Sequence, residues 1–235
     1  MRVAVIGCGY VGLATSTVLA DLGHQVAGVE IDREKLGKLA GGQAPIYEAH
    51  LQDLLTANIS AGRLAFSDDH TASCCDADII IIAVGTPTRE TWEIDLGQLE
   101  SAVDSIAESL EARDESLDPP VVVTKSTVPS GTSDYLRERL TTRTDRPFRI
   151  ASNPEFLREG QAILDTFYPD RIVVGAEVED GNRYIKGPAT GFVLVAAGAD
   201  AEKLLAVVQP PSSPLPRGGT PDTAREAVDF SGPDS

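Results

Sequence analysis

The stretch Val3-Ala4-Val5-Ile6-Gly7-Cys8-Gly9-Tyr10-Val11-Gly12 decides how this chain begins to fold. Four apolar residues read as a short strand. The turn G-x-G-x-x-G follows at once and opens into a helix-patterned run from Val11 to Leu22. In that pattern Gly7 permits a tight turn, Gly9 lets backbone approach a pyrophosphate, and Gly12 lets the helix pack closely on the strand. The phosphates then sit at the helix N-terminus, where unpaired N–H groups and the helix dipole favour negative charge. An acidic residue is due about 20 positions on, at the end of the second strand. Gln25-Val-Ala-Gly-Val-Glu30 supplies it, with Glu30 placed to accept from ribose hydroxyls. Its charge repels a 2′-phosphate, which predicts NAD over NADP; the neighbouring Arg33 argues the other way. A glycine-rich turn without a ligand would not explain why strand, glycines, helix and acid fall in this order.

Outward from that turn, β-rich runs recur at Asp78–Ala83, Val121–Thr124, Arg149–Ala151 and Arg171–Val174. Helix-patterned stretches lie between them: one capped by Asp32 through Lys35 and Leu39, one capped by Asp95 and carrying Leu96, Leu99, Val103, Ile106 and Leu110, and one over Ser133–Leu140. Strands alternating with helices predict an α/β fold, a doubly wound Rossmann-type sheet with mostly parallel strands. The uniformly apolar runs Ile79–Ile82 and Val121–Val123 suit central strands covered on both faces. Residues 1–176 form the expected cofactor domain. From Glu177 the periodicity is lost, and Gln209–Asp222 reads Q-P-P-S-S-P-L-P-R-G-G-T-P-D, so 177–235 is expected to be a divergent, partly disordered tail.

Composition narrows the function. The net charge is −16, from 36 acidic against 20 basic residues, and only five of the basic residues are lysines. An acidic surface without basic patches argues against a nucleic-acid partner. No apolar run approaches the roughly 18 residues of a membrane helix, and the first apolar segment feeds a glycine turn instead of a cleavage site; the expectation is a cytoplasmic protein. Cys8, Cys74 and Cys75 offer no Cys-x-x-Cys spacing, which predicts no metal site and no disulfide framework, only small buried side chains.

Three later segments each follow a predicted strand: Val84-Gly-Thr-Pro-Thr88, Lys125-Ser-Thr-Val-Pro129 and Ser152-Asn-Pro-Glu-Phe-Leu-Arg-Glu-Gly160. Strand carboxyl ends are where ligands bind in an open α/β sheet. Glu155 and Glu159 are four apart, which on a helical turn puts both carboxylates on one face. Such a pair can divide base and structural duties over one alcohol if their environments separate their pKa values. On spacing alone, a solvated acidic turn with Arg158 as local partner accounts for them better, since most charged side chains stay in water. Lys125 reads as a strand-end solubilising lysine with no catalytic role.

Together these segments resemble the UDP-glucose/GDP-mannose dehydrogenase family over residues 1–176. The resemblance is carried by G-x-G-Y-V-G-L at Gly7–Leu13, Gly-x-x-Pro-Ile at Gly42–Ile46, T-P-T at Thr86–Thr88, K-S-T at Lys125–Thr127, N-P-E-F-L-R-E-G at Asn153–Gly160 and Y-P-D-R-I-V-V-G at Tyr168–Gly175. The last two are more similar to the UDP-glucose branch than to the GDP-mannose or N-acetylmannosamine branches. The resemblance implies two NAD-dependent steps taking the C6 alcohol of UDP-glucose to UDP-glucuronate, in polysaccharide biosynthesis. It also implies site roles. Gly7, Gly9, Tyr10, Val11 and Gly12 lie along the cofactor diphosphate, Glu30 and Lys35 near the adenosine ribose, and Thr86, Thr127 and Glu159 at the nicotinamide. Glu155 is the implied acid/base carboxylate, with Thr127 and Glu159 as its catalytic neighbours. Glu155, Phe156, Leu157 and Arg158 hold the sugar nucleotide.

The sequence departs from the family after Gly175-Ala176. The implied helix with a catalytic Lys and Asn, the segment with a nucleophilic Cys, and the second domain for the UDP moiety have no counterpart here. Aldehyde oxidation needs a hydrate or a covalent thiohemiacetal before the second hydride leaves, and the oxyanion needs stabilising donors. The expectation is a truncated gene product that binds NAD, binds a UDP-sugar weakly or not at all, turns over nothing alone, and lacks the family's usual dimer core. Two other readings compete: a non-catalytic NAD-binding module acting through a partner, and a Rossmann dehydrogenase of 3-hydroxyacyl-CoA or 6-phosphogluconate type. The last gives no reason for N-P-E-F-L-R-E-G.

Overall fold

The computed structural model describes residues 1–169 and 172–176. Expectations for Asp170, Arg171 and the 177–235 tail lie outside them. The chain alternates β1 (Arg2–Ile6), α1 (Tyr10–Asp21), β2 (Gln25–Val29), α2 (Arg33–Ala40), α3 (Leu51–Ser60), β3 (Leu64–Ser67), α4 (His70–Cys74), β4 (Ile79–Ile82), α5 (Gly97–Glu111), β5 (Val121–Thr124), α6 (Thr132–Thr141), β6 (Arg149–Ser152), α7 (Ala162–Phe167) and β7 (Gly175–Ala176). The strands form one sheet in the order β3-β2-β1-β4-β5-β6-β7. Every pairing is parallel except the edge pair β6–β7. This is the expected doubly wound Rossmann-type sheet. Its order reverses between β1 and β4, which opens a crevice at the carboxyl ends of those two strands.

Core packing follows from the apolar strands. The four isoleucines of β4 are buried, pointing alternately into two clusters. Ile79 and Ile81 share one cluster with α1, α3 and α7 residues such as Leu13, Leu55 and Phe167; Ile80 and Ile82 share the other with Leu99, Ile106 and Leu136 of α5 and α6. Burying each such side chain contributes about 2–3 kcal/mol of transfer free energy.

The structure differs from expectation at several elements. Strand β3 and helices α3, α4 and α7 carry too little periodicity to be read locally. The run expected as a strand at Arg171–Val174 is irregular at 172–174, and pairing starts only at Gly175. There the Val173 carbonyl accepts from Asn153 Nδ2 at 2.8 Å. Asp32 caps α2 as expected, accepting from Lys35 N–H. Asp95 does not cap α5: Leu96 is the N-cap, and the Asp95 carboxylate accepts from Gly97 N–H while pairing with Arg89. Asn153–Gly160 is not helical, so Glu155 and Glu159 share no helical face. Pro154 disfavours the α conformation at the preceding residue, and the Asn153 side chain is committed to distant partners.

Candidate functional site

The β1–α1 turn is built by backbone contact. Gly7 has φ +91 and donates its N–H to Val29 O at 2.9 Å. A Cβ on Gly12 would lie 1.8 Å from Gly7 O, so only glycine lets the helix sit this close to the turn. A Cβ on Gly9 would meet nothing within 4 Å; it would fill open space above the helix. No side chain caps α1, and its first turn has no acidic residue. Its free N–H groups and positive dipole end therefore face that space uncompensated. This is the arrangement a pyrophosphate requires.

The turn forms one wall of a cleft of about 430 Å³. Glu30, Ile31 and Lys35 line its far end, and Gly85, Gln98 and Ser101 line the opposite side. Glu30 is buried, with Oε1 accepting from Asp32 N–H at 3.0 Å and Oε2 pairing with Lys35 Nζ at 2.6 Å. Its charge is thus held in place at the end of β2. Ile31 beside it is 74% exposed, an apolar shelf at the mouth of the cleft. The residues present fit NAD: a phosphate cradle, a fixed ribose-side carboxylate and an apolar surface, in the order the cofactor needs.

Thr86 and Thr127 come together, Thr86 Oγ1 donating to Thr127 O at 2.7 Å. Neither lines the cofactor cleft or the second cavity. That second cavity, of about 300 Å³, lies on the other side of the β4–β5–β6 strand ends. Glu155, Phe156, Leu157 and Arg158 line it together with Lys125 and Asn153. Glu155 Oε2 accepts from Leu157 N–H at 2.6 Å, which closes the loop on itself. Glu159 is exposed and lies outside this cavity's lining. Arg158 pairs with Asp165 of α7, in place of the neighbouring glutamates, through bonds of 2.5 and 3.0 Å.

Lys125 overturns its reading as a solubilising lysine. Its ammonium turns inward and donates to Asn153 Oδ1 at 3.0 Å. Burial pushes the amine down to about 8, against the opposing pull of the Glu155 carboxylate. A cation with this poise beside Glu155 is the residue that sequence reasoning missed. Its one signal was K-S-T, where the hydroxyls drew attention and the lysine did not.

Cys8 and Cys74 are buried as read, and Cys75 half-buried; all three are free. Burial, with Glu30 nearby for Cys8, pushes both buried thiols up to about 12. Neither is a nucleophile at neutral pH.

A family model described as the UDP-glucose/GDP-mannose dehydrogenase family, NAD binding domain, matches residues 1–187. The chain belongs to this family. The match runs past Ala176, where the sequence motifs end. A UDP-glucose 6-dehydrogenase of Bacillus subtilis, YwqF, is 45% identical over 181 residues, covering 76% of this chain and 40% of that protein. The UDP-glucose 6-dehydrogenase of Rhizobium meliloti is 44% identical over 184 residues, with 77% and 40% covered. Among solved structures, a UDP-glucose dehydrogenase from Pyrobaculum islandicum superposes with TM-score 0.76 at 34% identity, covering 89% of this chain and 44% of that one. The chain thus spans about 40% of the length of the curated relatives it matches. Among the described residues no helix is long and apolar enough to cross a membrane.

Proposed function

We propose that this chain is the cofactor-binding part of a cytoplasmic UDP-glucose 6-dehydrogenase, holding NAD along α1 and presenting the sugar C6 alcohol to the strand ends of β5 and β6. The observation that carries the reading is the order of groups along one cleft: open space over Gly9, the uncapped N-terminus of α1, then Glu30 fixed by Lys35. Bound NAD supplies the hydride acceptor. The residues of this chain do the rest. Backbone N–H groups of Tyr10 and Val11 bind the diphosphate and Glu30 accepts from the ribose; Thr86 and Thr127, joined by their 2.7 Å bond just outside the cleft's lining, flank the nicotinamide end together with the exposed Glu159. Glu155 receives the alcohol proton, and Phe156–Arg158 position the sugar. Lys125, charged below pH of about 8, holds positive charge beside Glu155.

Within these 235 residues the covalent step lacks a thiol. Cys8 is buried in the cofactor turn, donating to Val29 O at 3.6 Å, and Cys74 and Cys75 precede β4, at the opposite end of the sheet from the strand termini that carry the loops. The chain alone therefore binds NAD, has weak or no affinity for UDP-sugar and does not complete oxidation to the acid. A division at residue 176 between cofactor domain and divergent tail, and the lack of a nucleic-acid partner, belong to the same proposal. Calorimetry with NAD and spectrophotometry of NADH with UDP-glucose test it. Expected are NAD binding and no UDP-glucuronate; absence of NAD binding refutes the cofactor reading, and turnover to UDP-glucuronate refutes the claim of incompetence.

A further inference from the structure

Glu48 lies in the segment between α2 and α3, two residues beyond the Pro45-Ile46 pair that the motifs singled out and the function left unused. It is only 5% exposed, yet it carries a carboxylate. Both oxygens are taken by donors from distant parts of the chain. Oε1 accepts from the N–H of Ala162, the first residue of α7, at 2.7 Å. Oε2 accepts from Gly160 N–H at 3.1 Å and from the Tyr10 hydroxyl at 2.9 Å. Gly160 ends the loop that carries Glu155 and Glu159. Tyr10 opens α1, whose first-turn N–H groups form the phosphate cradle. The same hydroxyl lies 2.9 Å from Arg158 O, inside that loop. It has one proton for two acceptors, and the charged carboxylate is the stronger of them. Burying a carboxylate is costly unless its lone pairs are met. Here they are met only while the loop and the helix stand in this relation.

We infer that Glu48 is a positioning residue, whose carboxylate ties the 153–160 loop to the first turn of α1 so that occupancy of the phosphate cradle is felt at Glu155 and Glu159. This rests on the cofactor reading above. The coupling runs from the diphosphate at the Tyr10 backbone, through the Tyr10 side chain, to Glu48 Oε2, and on to Gly160. Burial, then the Glu48 hydrogen bond, push the Tyr10 hydroxyl up to about 12, in keeping with a phenol held as a donor.

The test is amide hydrogen exchange, read with and without NAD, on the 235-residue chain and two variants. Glu48→Gln keeps the shape but offers one acceptor oxygen where two are needed. It should lose protection about tenfold at one of Gly160 and Ala162 and retain it at the other. A role in general stability would move both together with the rest of α7. Tyr10→Phe should leave both amides protected in the free chain. In the unmodified chain NAD should raise protection across 155–162, and both variants should lose that rise. Should Glu48→Gln fold poorly, Tyr10→Phe alone still decides, and the tyrosine difference titration against it locates the phenol. NAD that binds without changing loop protection, or a Glu48→Gln chain with both amides unaltered, overturns the inference while leaving the cofactor reading intact. Failure of NAD to bind removes both, and is told apart by calorimetry.

Discussion

The turn at Gly7–Gly12 and the loop at Asn153–Gly160 both leave the carboxyl end of a parallel strand, β1 and β6, and they are held by different means. The turn is held by its own backbone: Gly7 at positive φ, and Gly12 pressed against Gly7 O. Its shape is written in three glycines within six residues. The loop has no regular structure and is held from outside. Lys125 and Val173 bind Asn153, Asp165 binds Arg158, and Glu48 binds Gly160. Those partners lie from 7 to 112 positions away in sequence. A locally built element withstands change elsewhere and fails at its own residues. A remotely built one is adjustable, and fails at residues a motif scan does not mark.

Substitutions should break the two regions in these different ways. The largest effect is expected at Gly12→Ala, because its Cβ meets backbone at 1.8 Å and no side chain can give way. A loss of about 3–5 kcal/mol in urea denaturation is expected; a loss under 1 kcal/mol would show that the turn is not built by this contact. Next is Lys125. Its amine titrates at about 8 in the folded chain against an ordinary 10.5, so between those values the unfolded chain binds the proton more tightly. Its burial is therefore unfavourable in full below pH 8, and the burden lifts as pH rises toward 10.5. Relative to Lys125→Met, the native chain should gain up to about 3 kcal/mol across that window. Parallel pH profiles for the two chains would contradict an inward ammonium.

Smaller effects sharpen the contrast. At Gly9→Ala the methyl enters open space, so the melting temperature should be nearly unchanged while NAD affinity by calorimetry falls about tenfold or more. Equal loss of stability and affinity would mean the space over α1 is structural. The least is expected from Arg158→Ala, which removes a half-exposed pair with Asp165; about 1 kcal/mol or less should be lost. The more telling measurement is proteolysis of the 153–160 loop, expected to quicken in this variant and not in Gly9→Ala.

The order of strands and helices around α1, α2, α5 and α6 could be read because each carries a complete apolar face at its own period. Strand β3 could not: Leu64-Ala-Phe-Ser67 has one fully buried residue, and its place at the edge depends on β2 being there to pair with it. Of the site residues, the glycine turn and the place of Glu30 at the end of β2 were legible from spacing; Thr86 and Thr127 follow strand ends as the sequence shows, but neither lines a cavity. The shared helical face for Glu155 and Glu159 was misread because Pro154 and the pull on Asn153 outweigh four-residue spacing. Lys125 was read as solvated because a lysine at a strand end usually is; only the neighbouring Asn153 on β6's exit turns it inward.

By itself the sequence determined the central parallel strands, the phosphate cradle and the acid at the end of β2, since each follows from residues within one strand–turn–helix unit. What only the tertiary structure decided is everything that joins such units: the burial of Glu48, the inward amine of Lys125 and the course of the 153–160 loop between them. The reason is the reach of the forces. Backbone sterics and apolar periodicity act over a few residues, whereas a buried charge takes whichever donors the fold brings within about 3 Å, and that choice is made only when the sheet has closed.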